Sequence, residues 1–205
     1  YWATDTQIGD DAAAMEYVQR AREYLPQAPI NRDEKITKAK EIDAIETEIY
    51  RKGVERSLYR ATRNLQDKYP LPFDALRNIK RARLYARRAG LDIRDRANQV
   101  RREAGIKGAE VYLRLVREDA EKGYLIGFKI NSRRARRFAQ LGGIDISQQL
   151  QEIEPVAYAN RARLDTIVAS DYRRIGDINR AILWEEMAKT TAKTAPHRVR
   201  SKRRS

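Results

Sequence analysis

The chain of 205 residues has no cysteine and a single histidine, His197. Without cysteine, disulfides and thiolate metal sites are excluded, and one histidine in a basic tail cannot build a triad in a packed site. Transition-metal sites are therefore not expected, and carboxylates could at most hold a hard cation. A glycine-rich nucleotide-binding loop is also missing. The sequence predicts a non-enzymatic protein with no catalytic residue, no metal and no cofactor.

Helix-breaking residues are scarce as well, with 10 Gly and 6 Pro. No apolar run approaches 18 residues, so no membrane-spanning helix is predicted. Instead, 41% hydrophobic and 35% charged residues alternate at the three-four spacing of amphipathic helices. Near the start of the basic segment 73–141, Leu76, Ile79 and Leu84 are expected on the buried side of a helix. We expect an all-α fold of long amphipathic helices in an extended helical hairpin or bundle, with a basic disordered C-terminal tail.

Proline and glycine positions divide the chain into five segments. These are a short N-terminal helix with a Pro-containing linker (1–30), a long amphipathic helix (31–72), a basic helical region with glycine kinks (73–141), a long C-terminal helix (142–190) and a basic tail (191–205). The run Tyr69-Pro70-Leu71-Pro72 ends the second segment, because a residue before proline avoids helical geometry. Gly142-Gly143 ends the third. The last helix shifts its apolar register just before Ile175.

The net charge of +14 is concentrated in the later part of the chain. Residues 1–72 carry a net charge of −1, residues 73–102 carry +7 and residues 103–205 carry +8. Such surfaces attract phosphate backbones or acidic membranes. The candidate nucleic-acid-binding residues are Arg133, Arg134, Arg136 and Arg137 in a helix, and Arg198, Arg200, Lys202, Arg203 and Arg204 in the tail. A similar cluster comprises Arg77, Lys80, Arg81, Arg83, Arg87 and Arg88. For the helical arginines the alternative is a solvated helix end whose cations favour the C-terminal dipole.

The last helix carries an apolar stripe that indicates packing against another helix or subunit. Isolated helices of this length must bury one face to be stable, so we expect a homo-oligomer. The predicted oligomer-packing residues are Leu150, Ile153, Leu164, Ile167, Ile175, Ile178, Ile182 and Trp184.

Residues 133–182 contain four short motifs that carry a resemblance to one protein family. They are Arg136-Arg137-Phe138-Ala139, Gly143-Ile144-Asp145-Ile146-Ser147, Leu164-Asp165-Thr166-Ile167 and Tyr172-Arg173-Arg174. This segment, a quarter of the chain, resembles the internal virion proteins of short-tailed phages, which are core or ejection proteins stored next to the portal. The resemblance implies a helical structural protein inside the capsid, packed with portal and core proteins near the DNA. It further implies that the protein moves to the host cell envelope on infection and helps deliver the genome.

Two other functions fit the same composition. An RNA-binding subunit of a ribosome, including an organellar one, would use long helices, arginine clusters and a basic tail against structured RNA. A membrane-active scaffold would bind anionic lipid through a basic amphipathic helix. The nucleic acid that the protein prefers, double-stranded DNA or structured RNA, separates the first two functions.

Overall fold

The computed structural model describes the backbone of residues 3–195 and the side chains of residues 12–195. Seven α-helices and one short 3-10 helix make up this part of the chain, and it contains no strand. The helices are α1 (Ala3–Tyr24), α2 (Arg32–Gln66), α3 (Pro72–Arg88), α4 (Arg94–Glu121), α5 (Leu125–Gly142), α6 (Ser147–Arg174) and α7 (Ile178–Thr194), with the 3-10 turn at Leu25–Gln27. The predicted all-α class is confirmed for these residues.

The chain divides into an N-terminal unit, Tyr1–Arg101, and a C-terminal unit, Arg102–Ser205. The division falls within α4, after Arg101. In the described part of the N-terminal unit, α2 and α3 form an antiparallel hairpin and α1 packs on α2. In the described part of the C-terminal unit, α6 and α7 form a second hairpin, and α5 contacts both α4 and α6.

Local signals explain where α2 begins and which side it buries. The Asn31 side chain accepts a hydrogen bond from the Glu34 amide at 2.9 Å, and the Glu34 carboxylate accepts one from the Asn31 amide. This reciprocal capping box satisfies two amides that the first turn leaves unpaired. Along α2, Val54, Leu58 and Leu65 recur at helical spacing and are buried, so one stripe faces the partner helices.

On the α3 side of the interface between α2 and α3, most of the buried side chains are small. In α3 the buried residues include Ala75, Ala82 and Ala86 together with Ile79. The sequence expectation was partly wrong here, because Leu84 is exposed. Alanine has high helix propensity and lets the backbones of two helices approach closely. The buried stripe of α3 is therefore one of small residues rather than leucines.

The predicted long helix at 142–190 is wrong, because the structure contains two helices there. Gly176 adopts a left-handed conformation (φ 81°) and ends α6, and the Asp177 side chain then accepts a hydrogen bond from the Arg180 amide to start α7. A left-handed residue cannot continue a right-handed helix. The helix α7 continues to Thr194, so residues 191–194 do not belong to a tail.

The basic region at 73–141, which was predicted to be helical with glycine kinks, consists of the three helices α3, α4 and α5. Gly90 and Gly123 have φ values of 66° and 65° and stand between helices, where they end α3 and α4. Gly105 and Gly108 lie within α4, which runs through them. Over residues 3–195 no helix combines the length and the apolar character that a bilayer crossing needs.

Candidate nucleic-acid interface

Helix α5 brings the four predicted helical arginines to the surface of the C-terminal unit. Arg133, Arg134, Arg136 and Arg137 are all exposed, whereas Ser132, Ala135, Phe138 and Ala139 between them are buried. The alternation follows helical periodicity, with the small and aromatic side turned inward. Helix α5 also carries Lys129 and contains no Asp or Glu. Its outer surface therefore holds five positive charges and no negative charge.

Close contact between backbones fixes the position of α5 against α4. A Cβ atom added at Gly105 would lie 2.2 Å from the backbone nitrogen of Gly142, and one added at Gly108 would lie 2.2 Å from the ring of Phe138. The Asn131 side chain of α5 donates a hydrogen bond to Asp119 of α4 at 2.8 Å. These contacts leave α5 little freedom to rotate, so its outer face is defined by the fold.

One arginine of the set is held by an aromatic stack. The rings of Phe138 and Tyr112 are nearly parallel, with centroids 5.6 Å apart. The Arg134 guanidinium lies 5.6 Å from the centroid of the same Tyr112 ring. A cation over an aromatic face gains roughly 0.5–1 kcal/mol at an exposed site. Arg134 is thus pre-positioned, while the other three extend from the helix.

The arginines of α5 differ from those of the α6–α7 hairpin in their partners. In the hairpin Arg161 pairs with Asp165 at 2.9 Å, Arg173 with Glu185 at 2.7 Å, and Arg174 with Asp171. Within the described residues, no carboxylate lies within 4.0 Å of any of the four α5 arginines. Among the described residues of the unit, no ion pair therefore neutralises their charge.

The alternative explanation, cations placed against the helix dipole, does not match the positions. Helix α5 ends at Gly142, and its last turn holds no basic residue. The dipole interaction fades within the last turn of a helix, so Arg136 and Arg137 lie too far from the end to gain much. What the surface can do is contact phosphate oxygens, which a guanidinium binds through paired N–H donors.

Lys129 belongs to this surface although the sequence analysis did not select it. It precedes Arg133 by one helical turn, is exposed, and places its ammonium 6.0 Å from the centroid of the Tyr158 ring. Four-residue spacing from an arginine already selected was the signal that could have found it. The predicted tail residues Arg198, Arg200, Lys202, Arg203 and Arg204 lie outside the described residues.

The predicted oligomer-packing residues separate into three groups. Leu150 is 2% exposed and is buried within the chain itself, so it does not offer a surface for packing against a second copy. Ile153 and Trp184 are partly exposed. The exposed members are Leu164, Ile167, Ile175, Ile178 and Ile182, with Ile175 at 72%.

The sequence analysis also missed a basic cavity in the N-terminal unit. Arg81 and Arg88 of α3, already noted as part of a charged cluster, line it together with Arg56 and Arg60 of α2. The four-residue spacing of Arg56 and Arg60 placed them on one side of a helix, but the sequence did not show that this side faces α3. No group of three or more side chains suited to hold a metal comes together among the described residues. Comparison of the chain with protein-family models, with curated proteins and with solved structures gave no match.

Proposed function

We propose that this protein is a non-enzymatic structural protein that binds nucleic acid through phosphate contacts made by α5. The observation that carries the proposal is the outer surface of α5, where five cations stand without a neutralising carboxylate in the helix. Guanidinium groups in such an arrangement contact phosphate without reading base sequence. Binding is therefore expected to be strongly dependent on salt and weakly dependent on sequence.

The biological setting that we propose is the interior of a short-tailed phage virion. Residues 133–182, which resemble the internal virion proteins, include the α5 arginines, the Gly143 turn and helix α6. The resemblance and the basic surface thus concern the same part of the chain. In that setting the protein packs near the portal and the DNA, and it accompanies the genome through the host envelope.

Self-association is the second part of the proposal. Helix α6 exposes Leu164 and Ile167 three residues apart, Ile175 is exposed directly after the helix, and α7 exposes Ile178 and Ile182 one turn apart. We propose that further copies of this chain cover these side chains, as in a ring or core. Replacement of Ile167 and Ile175 by serine is expected to lower the mass measured by sedimentation equilibrium. An unchanged mass would place the contact elsewhere.

Phosphate binding by α5 is tested by a pair of matched double variants. Arg136→Gln/Arg137→Gln removes two charges from the α5 surface, and Arg173→Gln/Arg174→Gln removes two from α6, where both arginines have carboxylate partners. Net charge changes equally in the two variants, so a difference in binding reports the location of the charge. Fluorescence anisotropy with a labelled DNA duplex, measured over a salt series, gives affinity and salt slope together.

Each phosphate contact contributes about 0.9 to the slope of log K against log salt. The α5 variant is expected to lose about 1.8 from this slope, which corresponds to about 60-fold in affinity at 0.1 M salt relative to 1 M. The α6 variant should keep the wild-type slope. Equal slopes for both variants would reject α5 as the interface.

A second nucleic acid in the same assay separates the virion role from the ribosomal one. A virion protein near the genome should bind the DNA duplex at least as tightly as a structured RNA of equal length. A clear preference for RNA would favour a ribosomal subunit. Identification of the proteins that accompany the chain in its native particle decides the setting: portal protein with double-stranded DNA supports it, and ribosomal RNA with ribosomal proteins overturns it.

A further inference from the structure

The second basic cluster of the sequence, at residues 77–88, covers much of helix α3. The helix holds six Lys or Arg side chains and a single acid, Asp74. All six cations are exposed. The one acid pairs with Arg77 at 3.3 Å, so five cations have no acid of their own helix to pair with. The phosphate contacts proposed for α5 give this cluster no role.

Three of these cations form a stripe along one side of α3. Lys80, Arg83 and Arg87 follow each other at three- and four-residue spacing, which places them on the same side of a helix. This group is the α3 stripe. Arg81 and Arg88 lie on a different side, where they line the cavity that α1 borders. The α3 stripe is therefore a surface separate from that cavity.

The contacts of the α3 stripe differ from those of another exposed arginine in the same unit. Arg96 donates hydrogen bonds to both carboxylate oxygens of Glu55, at 2.7 and 2.8 Å. For the three cations of the α3 stripe, no carboxylate of the described residues lies within 4.0 Å. Arg83 donates a hydrogen bond to the neutral Asn98 side chain at 2.9 Å, which orients the guanidinium and leaves its charge in place.

The stability of α3 gives no reason for such a stripe. Lys80 with Arg83 and Arg83 with Arg87 are like-charged pairs at the spacings where they destabilise a helix. The helix dipole favours Arg87, which lies in the last turn, but Lys80 and Arg83 come before that turn. The stripe therefore indicates contact with an anionic partner.

The apolar residues of α3 favour a phosphate backbone over a membrane as that partner. A helix that lies on a membrane needs an exposed apolar face to place among the lipid headgroups. The apolar side of α3, which includes Ile79 and Ala82, is buried within the protein. The exposed large apolar residues, Phe73 and Leu84, are eleven residues apart and form no continuous face. Cations alone are sufficient to bind phosphate oxygens.

We propose that the α3 stripe is a second nucleic-acid-binding surface, and that the protein thereby bridges two phosphate backbones. The α3 stripe belongs to the N-terminal unit and the α5 surface to the C-terminal unit. Each surface binds one segment of nucleic acid without reading its base sequence. Bridging rests on the function proposed for α5, whereas phosphate binding by the α3 stripe does not.

Phosphate binding by the α3 stripe is tested in the α5 variant, in which the other surface is already weakened. Addition of Lys80→Gln/Arg87→Gln removes two cations and should lower the slope of log K against log salt by a further 1.8 or about that, measured by anisotropy with the labelled duplex. Lys80→Gln alone, which leaves the last turn of α3 intact, should lower it by about 0.9.

The matched control removes the same charge from paired arginines of the same unit. Arg94 pairs with Asp92 at 2.6 Å and Arg96 with Glu55 at 2.7 Å, so Arg94→Gln/Arg96→Gln should leave the slope unchanged. Circular dichroism of each variant checks that the helix content is equal. Equal slopes for the α3 variant and the control would reject the α3 stripe as a phosphate-binding surface.

Bridging is measured by the capture of a second duplex. A DNA duplex is attached sparsely to beads, the full chain is added, unbound protein is washed away, and a fluorescent duplex follows. The wild type and the control should retain the fluorescent duplex. Lys80→Gln/Arg87→Gln should stay on the first duplex but retain about tenfold less of the second, or lower still, at 0.1 M salt, because it has lost two phosphate contacts.

The failure of one surface can be distinguished from the failure of the other. If the α3 variant captures the second duplex as well as the wild type does, the bridging proposal is overturned. If α5 does not bind nucleic acid, the α5 variant captures normally, and the salt series still reports on the α3 stripe. Cosedimentation with vesicles of phosphatidylserine and phosphatidylcholine tests the competing partner: the α3 variant should bind them as the control does. Weaker vesicle binding with an unchanged DNA slope would identify lipid as the partner and overturn the proposal.

Discussion

Substitution of Gly105 by alanine tests how closely α4 and α5 approach. The added Cβ atom would lie 2.2 Å from the backbone nitrogen of Gly142 and 2.6 Å from its Cα atom. Ordinary contacts of a Cβ atom begin near 3.4 Å, so the two helices must separate by about 1 Å. Neither side of the contact is a flexible side chain, and the strain cannot be relieved by a change of rotamer.

The expected loss of stability follows from two opposing effects. Overpacking of a well-packed interface costs typically 1–3 kcal/mol, and a clash between backbones belongs at the upper end of that range. Alanine in place of glycine returns about 1 kcal/mol of helix propensity. The net loss is about 2 kcal/mol, which for a unit of this size lowers the unfolding midpoint by roughly 10 °C.

Thermal unfolding followed by circular dichroism, together with urea titration, measures this loss. Gly105→Ser should lose more than Gly105→Ala, because the larger side chain meets the same backbone. Gly53→Ala is the comparison. The three atoms nearest to its added Cβ all belong to the Tyr85 side chain rather than to a backbone, so a smaller change, within about 1 kcal/mol, is expected. A Gly105→Ala protein that melts at or above the wild-type temperature would refute the close approach of α4 and α5.

Three further predictions concern charges and caps. The pKa of Asp92 is lowered to about 2, mainly by the hydrogen bond that the Arg94 side chain donates and further by the hydrogen bond from the Arg94 amide. The stabilising contribution of the ionised Asp92 carboxylate is therefore present above its usual pKa of 3.8 and is lost as the pH falls towards 2. Arg94→Gln should raise that pKa in an NMR titration of the carboxyl group, and an unchanged pKa would contradict the pairing. Arg161→Gln removes the ion-pair partner of Asp165, which is only 1% exposed. The free energy of unfolding in urea should therefore fall by about 3–5 kcal/mol. A loss below about 1 kcal/mol would mean that water reaches the Asp165 carboxylate. Asn31→Ala should cost about 1 kcal/mol through loss of the α2 cap, and retention of full stability would show that the capping box contributes nothing.

Helix starts and ends were predictable where one residue type alone decides the conformation. The proline pair at Pro70 and Pro72 ended the predicted second segment close to the end of α2. The predicted start at residue 31 agrees with the structure, where Asn31 caps α2. The local sequence also contained the signal for the break between α6 and α7. Gly176 is a residue that ends helices, and the following Asp177 is a residue that caps the start of a helix. The shift of apolar register before Ile175 was its sign, and reading it as an irregularity of one helix produced the error.

The buried side of each helix was harder to predict, because alanine occurs on both buried and exposed helix faces. In α3 the alanines are buried and Leu84 is exposed, since close helix contact favours small residues over large ones. The prediction that Leu150 is one of eight oligomer-packing residues failed for a related reason, because Leu150 is buried within the chain itself. A periodic apolar stripe shows that a side is buried but not whether the covering partner belongs to the same chain.

The candidate site was predictable in composition but not in its electrostatics. The four arginines of α5 were visible in the sequence, as were those at Arg173 and Arg174. Whether an arginine has a carboxylate partner depends on contacts across helices, such as that between Arg173 and Glu185 across the α6–α7 turn. The same holds for the cavity between α2 and α3, whose arginines meet only after the two helices pack.

If the α5 arginines bind a partner and do not stabilise the fold, their removal should raise the stability of the protein and lower its affinity for nucleic acid. Arg133, Arg134, Arg136 and Arg137 contain three like-charged pairs at three- or four-residue spacing, and each such pair destabilises a helix by about 0.2–0.5 kcal/mol. Arg136→Gln/Arg137→Gln removes all three pairs, and arginine and glutamine have similar helix propensity. The unfolding free energy should therefore rise by about 1 kcal/mol while affinity for nucleic acid falls. If the variant is instead less stable than wild type, the arginines support the fold through contacts of their own, and the charge of α5 no longer points to a polyanion.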